Sequence, residues 1–466
     1  MGSINRSQKR RGNLRRRWLM GSRFLSAALS SSLVIALSVL LGVPASGVGA
    51  PTLVVSAPVS AIVGQGLDVS AALTQDSAAI SAVSVTFTAQ LADHADVVAT
   101  STTDETGVAQ ASLVLPVRGS WTIVASYLDP SNNPFVSDPV RVTALGQSVS
   151  LTVMTPSAIT SEVPFKATVQ VVTDTDKAPV AGVLVTLKRL ATATQPAADV
   201  GRATSDTQGH VTFAVSVWKT ASLVASVAQT PTYESGVSAA MSVITRPAFG
   251  VVANPVGAAL PKIRFSDAPP AQGSGANPLI APIPDSVWAS MQGLTWHKGC
   301  MARSSLRYIT VNYIGFDGFR YRGSIILASW AAKPATNVFS RLYAIKYPIR
   351  SMFLVDRYGK APNSYPGAND YASMASDNTT GFNCRYVVGK ETRRVMSPHA
   401  SGGAIDINTW ENPYSSPKGW YPNSWWVPRT RKSPAVLTWS SPAVKAFRAA
   451  GFSWGGSYVD YQHFDS

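Results

Sequence analysis

Hydrophobic and polar residues alternate in short runs between residues 51 and about 245, as in Ala82-Val83-Ser84-Val85-Thr86-Phe87-Thr88 and Ala181-Gly182-Val183-Leu184-Val185-Thr186-Leu187. Successive side chains of a strand point to opposite faces, so this period of two, with turn residues between the runs, predicts an all-β region. The region also repeats itself. Thr103-Asp104-Glu105-Thr106-Gly107 before Val108 parallels Ser205-Asp206-Thr207-Gln208-Gly209 before His210, and Val124-Ala125-Ser126 returns as Val224-Ala225-Ser226, a period of about 100 residues. One such period is the length of one β-sandwich, which predicts two in tandem, at 51–145 and 146–245.

The pattern then changes twice. Over 246–284 eight prolines (Pro247, Pro255, Pro261, Pro269, Pro270, Pro278, Pro282, Pro284) stand among Gly and Ala without periodicity, which predicts a semi-extended linker. From 285 to 466 aromatic and charged residues rise and the periods mix. Asn337–Leu342 and Tyr347–Val355 are apolar periodic segments, and Ser441–Phe452 predicts a helix. There Ser441 caps, Pro442 takes the first helical position, Val444 and Phe447 share one face, Lys445 and Arg448 point away, and Gly451 ends the turn. This last unit is expected to be α+β with a small antiparallel sheet.

Ahead of the sandwiches, eight Arg and Lys without an acid fill the first 24 residues, and an apolar run from Leu25 to Val43 follows. That order is an export signal. Cleavage after Ala45 or Ala50 and retention as an N-terminal membrane anchor both fit residues 1–50. Charge divides the chain in the same places: +8 over 1–50, −6 over 51–245 and +13 over 246–466. A basic exported surface favours anionic wall polymers and peptidoglycan carboxylates as partners, not nucleic acid. The two cysteines, Cys300 and Cys384, allow one disulfide across a long loop, with two buried thiols as the alternative.

Candidate chemistry lies in Ser397-Pro398-His399-Ala400-Ser401-Gly402-Gly403-Ala404-Ile405-Asp406-Ile407-Asn408 and in Asp460-Tyr461-Gln462-His463-Phe464. A histidine in a glycine-containing loop leads into an apolar strand bearing an aspartate, for which a plain core has no use. With a second histidine, His399, Asp406 and His463 make a three-ligand zinc site with one open position. Zinc so held lowers the pKa of its water to about 7 and polarises a scissile carbonyl, and Asp460 is placed to act as general base. Asp460 and His463 are three residues apart and would face opposite ways on a regular strand, so a bulge or turn is required between them. His94 and His210 lack ligand spacing and are expected at the surface, and His297 is left structural. Trp296, Trp410, Trp420, Trp425 and Trp426 suit either a groove lining or the core.

Ser-x-His-x-x-Gly-x-Ala-x-Asp with a later Asp-Tyr-Gln-His-Phe resembles the zinc D-alanyl-D-alanine carboxypeptidase family, and in particular its L-alanyl-D-glutamate endopeptidase branch, over about residues 285–466. Gly299-Cys300, Tyr313 with Gly315-Phe316-Asp317-Gly318, Phe382-Asn383-Cys384-Arg385 and Asn412-Pro413-Tyr414 agree with that branch. The resemblance implies zinc on His399, Asp406 and His463, Asp460 as acid/base, and Arg385 as the cation that stabilises the carbonyl oxygen as it becomes anionic. Ser397 then orients the site, because both histidines are engaged as ligands. Thr409 and Met301 stand where the branch usually has proline. The tandem sandwiches resemble the bacterial immunoglobulin-like domains of surface proteins. The expected whole is an exported, monomeric peptidase of peptidoglycan stem peptides, touching a membrane only if the first segment is uncleaved. The alternative is a non-catalytic wall-binding or adhesive protein in which the repeats do the work.

Overall fold

The computed structural model describes residues 49–362 and 365–466, so the signal or anchor expected over 1–50 lies, save its last two residues, outside them. Among the described residues no helix is long and apolar enough to cross a membrane. In the first repeat, Gly66–Gln75 pairs antiparallel with Thr52–Ser56 and Val108–Val114, while Gly119–Leu128 pairs with Ser84–Gln90 and Val140–Leu145 in a second sheet. Alternate residues of Gly66–Gln75 and Gly119–Leu128 are buried, and the inward faces meet around Leu73, Phe87, Leu113 and Trp121. The second repeat builds its own core around Val169, Leu187, Phe213 and Leu223.

The sequence repeat reappears as repeated bonds. Asp104 Oδ1 accepts from the amides of Thr106 and Val108, and Asp206 Oδ1 from those of Gln208 and His210. Gly107 and Gly209 follow with φ of 76° and 73°, the left-handed conformation that glycine adopts without strain. The Ser137 hydroxyl accepts from Ala125 N and the Ser238 hydroxyl from Ala225 N, both at 3.0 Å.

The proline-rich stretch is a strap and not a free spacer. Past Arg246 its one regular element is the short strand Leu279–Ala281, which pairs with Leu306–Ile314. Elsewhere Val252 N bonds to Phe316 O (2.8 Å), Arg322 N to Pro269 O (2.8 Å) and Asn312 N to Ala276 O (2.7 Å), so the strap runs along the C-terminal unit. Prolines lack the N–H that a sheet interior needs, yet their carbonyls remain acceptors. Trp218 of the second repeat also enters this unit's core, edge-on to Tyr321 at 5.2 Å, with Nε1 donating to Arg320 O. Lys219 beside it lies 4.9 Å from the rings of Trp218, Phe319 and Tyr321 and 3.1 Å from Asp317 Oδ2.

In the C-terminal unit, Leu306–Ile314 and Arg320–Ala328 form a hairpin backed by the helix Ser329–Ala344. A three-stranded sheet of Ala404–Asp406, His463–Asp465 and Ser453–Trp454 carries the motif residues. The helix expected at 441–452 spans Pro442–Ala449, with Val444 and Phe447 buried. Ser441 sits at its N-cap, but its hydroxyl donates to Thr438 O instead of accepting from the helix, and the C-cap is Ala450, one residue before Gly451. Cys300 and Cys384 form a disulfide across 84 residues. In the chain-entropy account a loop of that length stabilises by about 4.5 kcal/mol, so the Cys300→Ser, Cys384→Ser pair is expected to lose about 2–5 kcal/mol. Calorimetry should show the C-terminal transition falling in the variant, and reductant should lower it in the native protein alone.

Candidate metal centre and its cleft

Local sequence places each motif side chain. Pro398–Ser401 is a single 3₁₀ turn, and Ser397 before it accepts from His399 N–H through Oγ at 3.3 Å. Gly402 follows at φ 70°, where a Cβ would stand 2.7 Å from Ala328 N, so the glycine is required both by conformation and by space. The strand Ala404–Asp406 then runs antiparallel to His463–Asp465 with Asp406 directly opposite His463. Direct partners in such a ladder share a face. The turn required between Asp460 and His463 is present: residues 461 and 462 form it, closed by the bond from His463 N to Asp460 O at 3.4 Å, after a 3₁₀ turn at Gly455–Tyr458 whose Gly455 carbonyl accepts from Asp460 N.

These elements bring one donor atom from each of His399, Asp406 and His463 to within 4.8 Å of the others, all buried. Asp406 Oδ1 lies 2.9 Å from His463 Nδ1 and its Oδ2 3.1 Å from His399 Nε2. Both rings are oriented from behind. His399 Nδ1 lies 2.6 Å from the carbonyl of Gly381, which can only accept, so Nδ1 carries the proton and Nε2 presents its lone pair. His463 Nε2 lies 2.9 Å from Asp465 Oδ1, which leaves Nδ1 as the inward atom. Imidazoles held by an acceptor on the far nitrogen are the usual outer support of a metal site. Two nitrogens and a carboxylate with such support fit a borderline cation such as zinc.

Electrostatics agree with this reading. Burial would raise the Asp406 carboxyl, but His399 and His463 outweigh it and hold it well below the carboxylate range. Burial would lower the His463 imidazole, and its hydrogen bonds to Asp406 and Asp465 hold it instead well above the usual range. A ligand must shed its proton to take a cation. Zinc binding at pH 7 is therefore expected to release about one proton from His463, and affinity should fall as the pH is lowered. Calorimetry in buffers of differing ionisation enthalpy reads this number, and zero proton release would contradict it.

A cleft of about 780 Å³ opens on this cluster. Among its lining atoms Arg385 Nε, Asp460 Oδ1 and Gln462 Oε1 are buried with neither a hydrogen bond nor an ion pair, while Asp370 Oδ2, also without a hydrogen bond, is ion-paired with Arg385. Such orphans cost about 1–3 kcal/mol each and are scarce in folded proteins, so three in one cleft mark a place shaped for something other than stability. Burial pushes Asp460 up to about 7, with Asp406 adding to the effect and His463 and Arg385 opposing it. Arg385 also forms an ion pair with Asp370 at 2.6 Å, so it serves the structure while lining the cleft.

Three contributors were not legible in the motifs: Asp465 behind His463, Asp370 beside Arg385, and Gln462, whose Nε2 donates to Asp406 Oδ2 at 3.2 Å. Asp465 is two residues from His463, the spacing that returns a strand to the same face, and that was its available signal. His297 stays structural, meeting the Cys384 carbonyl at 3.0 Å beside sulfurs already joined to each other. Thr409 is buried and donates to Met374 O, while the Met301 carbonyl accepts from Trp296 Nε1. Trp410 and Trp426 are core residues, and the aromatic rings on the cleft are Tyr414 and Tyr458. Beneath the site Arg350 bridges Asp377 (2.6 Å) and Glu411 (2.9 Å), and Asp377 Oδ1 accepts from Trp410 N, which ties down the chain after Asp406.

Residues 390–466 match the family model described as D-alanyl-D-alanine carboxypeptidase. No curated protein matches the chain. Solved structures similar to it include a tetra-tandem repeat in the extending region of a large adhesion protein, at 14% identity over 60% of this chain and 64% of that one, TM-score 0.29. The chain thus spans just under two thirds of that structure. The D0–D1 domain of intimin is matched at 14% identity over 41% of this chain and 97% of that one, TM-score 0.17. A superoxide reductase (neelaredoxin) from Ignicoccus hospitalis is matched at 15% identity over 21% and 80%, TM-score 0.17.

Proposed function

We propose that this chain is an exported zinc peptidase that hydrolyses an amide in the peptide part of peptidoglycan, at the L-Ala–D-Glu bond or at a terminal D-Ala. The observation that carries the reading is the convergence of His399, Asp406 and His463, buried and oriented from behind, beside an unpartnered Asp460 carboxylate in an open cleft. The carboxypeptidase match over 390–466 covers all four residues. Zinc bound by the three ligands would supply Lewis acidity that polarises a carbonyl and acidifies water.

The chain's own residues do the rest. Asp460 Oδ1, free of any donor and held near neutrality by burial, takes a proton from the attacking water and returns it to the leaving amine nitrogen. Arg385 keeps Nε unpartnered and offers a fixed positive charge to the carbonyl oxygen as it becomes anionic. Ser397 stays a positioning residue, its Oγ engaged with the His399 amide. The sandwiches space this unit from its attachment.

Defined stem peptides, with the terminal carboxyl free or amidated, separate the two bonds. The Phe382–Arg385 and Asn412–Tyr414 blocks favour endopeptidase action, so both peptides should be cut, with a new amino terminus on D-Glu. Cleavage of the free form alone, releasing D-Ala, would assign the carboxypeptidase. Cleavage of neither by the folded, zinc-loaded protein would remove the reading.

A further inference from the structure

Two hairpin tips meet over the cleft. One is the loop 389–394, closed at its base by the bond from Val387 N to Val395 O and by Ser397 N to Arg385 O. The other joins Tyr414–Ser416 to Gly419–Tyr421. They touch: a Cβ on Gly389 would stand 3.1 Å from the Ser416 Cβ and 3.6 Å from Pro417. Val387, Val388 and Lys390 from one, and Ser415, Ser416 and Pro417 from the other, line the cleft.

The tips carry Lys390, Arg393, Arg394 and Lys418, the last three exposed. The acid among them, Glu391, is buried and accepts from Tyr371 Oη at 2.7 Å. Among the described residues none of the four cations forms an ion pair within 4.0 Å, although Lys418 lies close enough to Glu391 to help lower its carboxyl. Deeper in the cleft Asp370, Asp406, Asp460 and Asp465 stand among Arg385 and the two histidines, so unopposed positive charge is confined to the rim. An anionic group on a ligand is attracted by the rim. Fixed unpaired charges of one sign at the mouth of a cleft orient an ion of the other sign and raise its capture rate.

We propose that the paired tips, through Lys390, Arg393, Arg394 and Lys418, form the subsite that holds the free carboxylates of the stem peptide and so sets which amide lies over the metal ligands. This rests on the peptidase reading above. The four side chains lie outside every α-helix and strand, Arg393 ending a single 3₁₀ turn, so replacing them leaves the cluster of His399, Asp406 and His463 in place.

The test uses the full chain with Lys390, Arg393, Arg394 and Lys418 all changed to Gln, or in pairs by tip. Its substrates are one stem peptide with free carboxylates and the same peptide with every carboxylate amidated. Native protein should prefer the free form by about tenfold in kcat/KM, carried mostly by KM and shrinking with added salt. The quadruple variant, with native zinc stoichiometry and melting transition, should bring that ratio to about one. Equal ratios in native and variant proteins would overturn the subsite while leaving the peptidase reading intact. So would an unchanged ratio with weakened retention on polyphosphate wall polymer, which would move the tips' role to that polymer. Absence of cleavage of either peptide by native protein would instead be the failure of the peptidase reading.

Discussion

Replacing Asp460 with Asn is expected to lower kcat by about 10²- to 10⁴-fold, the range that a positioned general base supplies, while zinc stoichiometry stays at the native value. Asp460 is absent from the cluster of ligand atoms, and its Oδ1 has no partner in the fold. The variant should be at least as stable as the native protein, because Asn removes a buried charge without changing shape. The pH profile gives a second reading. The base works only when ionised, so activity rises with pH through its pKa. Burial sets that value to about 7 in the metal-free fold, and a bound dication moves the acid limb below it. The limb should be absent from the Asn variant's residual activity. A kcat within a few-fold of native would show that another group takes the proton.

Asp406→Ala should sharply weaken both metal binding and stability. The Asp406 carboxylate accepts from Gln462 Nε2 and meets both imidazoles, and its backbone pairs with Thr380 in both directions. Removing it leaves two histidine nitrogens 3.2 Å apart and a buried amide without its acceptor. Breaking one partner of a buried charged cluster costs about 3–5 kcal/mol. Zinc affinity should fall by more than about 100-fold, the upper loss seen when a mere outer support is removed. Competition with a chromophoric chelator measures the affinity, and calorimetry the stability. Native affinity in Asp406→Ala would move the metal elsewhere.

Much of this was legible in the residues, for a physical reason. Alternation with period two marks a strand wherever one face is buried, and an Asp-x-x-Gly turn reports its own geometry through the Asp side chain, so the repeat at Asp104 and Asp206 could be read directly. His399, Asp406 and His463 stood out because a buried aspartate in an apolar strand has no role in a plain core. What escaped was set by tertiary contact. Asp465 and Gln462 act on ligands through packing that spacing alone does not specify. Asp370 meets Arg385 from 15 residues away in sequence. The stretch over 246–284 lacks periodicity whether it floats or lies against a neighbour, and only its bonds to Arg322, Asn312 and Phe316 distinguish the two. Trp410 was undecidable for the same reason, since its burial depends on Ala259 of the strap.

Mass-spectrometric analysis of purified peptidoglycan treated with the full chain tests the central claim most directly. The protein is used zinc-loaded, chelated, and as Asp460→Ala. New amino termini on D-Glu, or free D-Ala, released by the zinc-loaded native protein alone are the expected result. Peptidoglycan left whole by folded protein holding one zinc per chain, or cut equally after chelation, would contradict it.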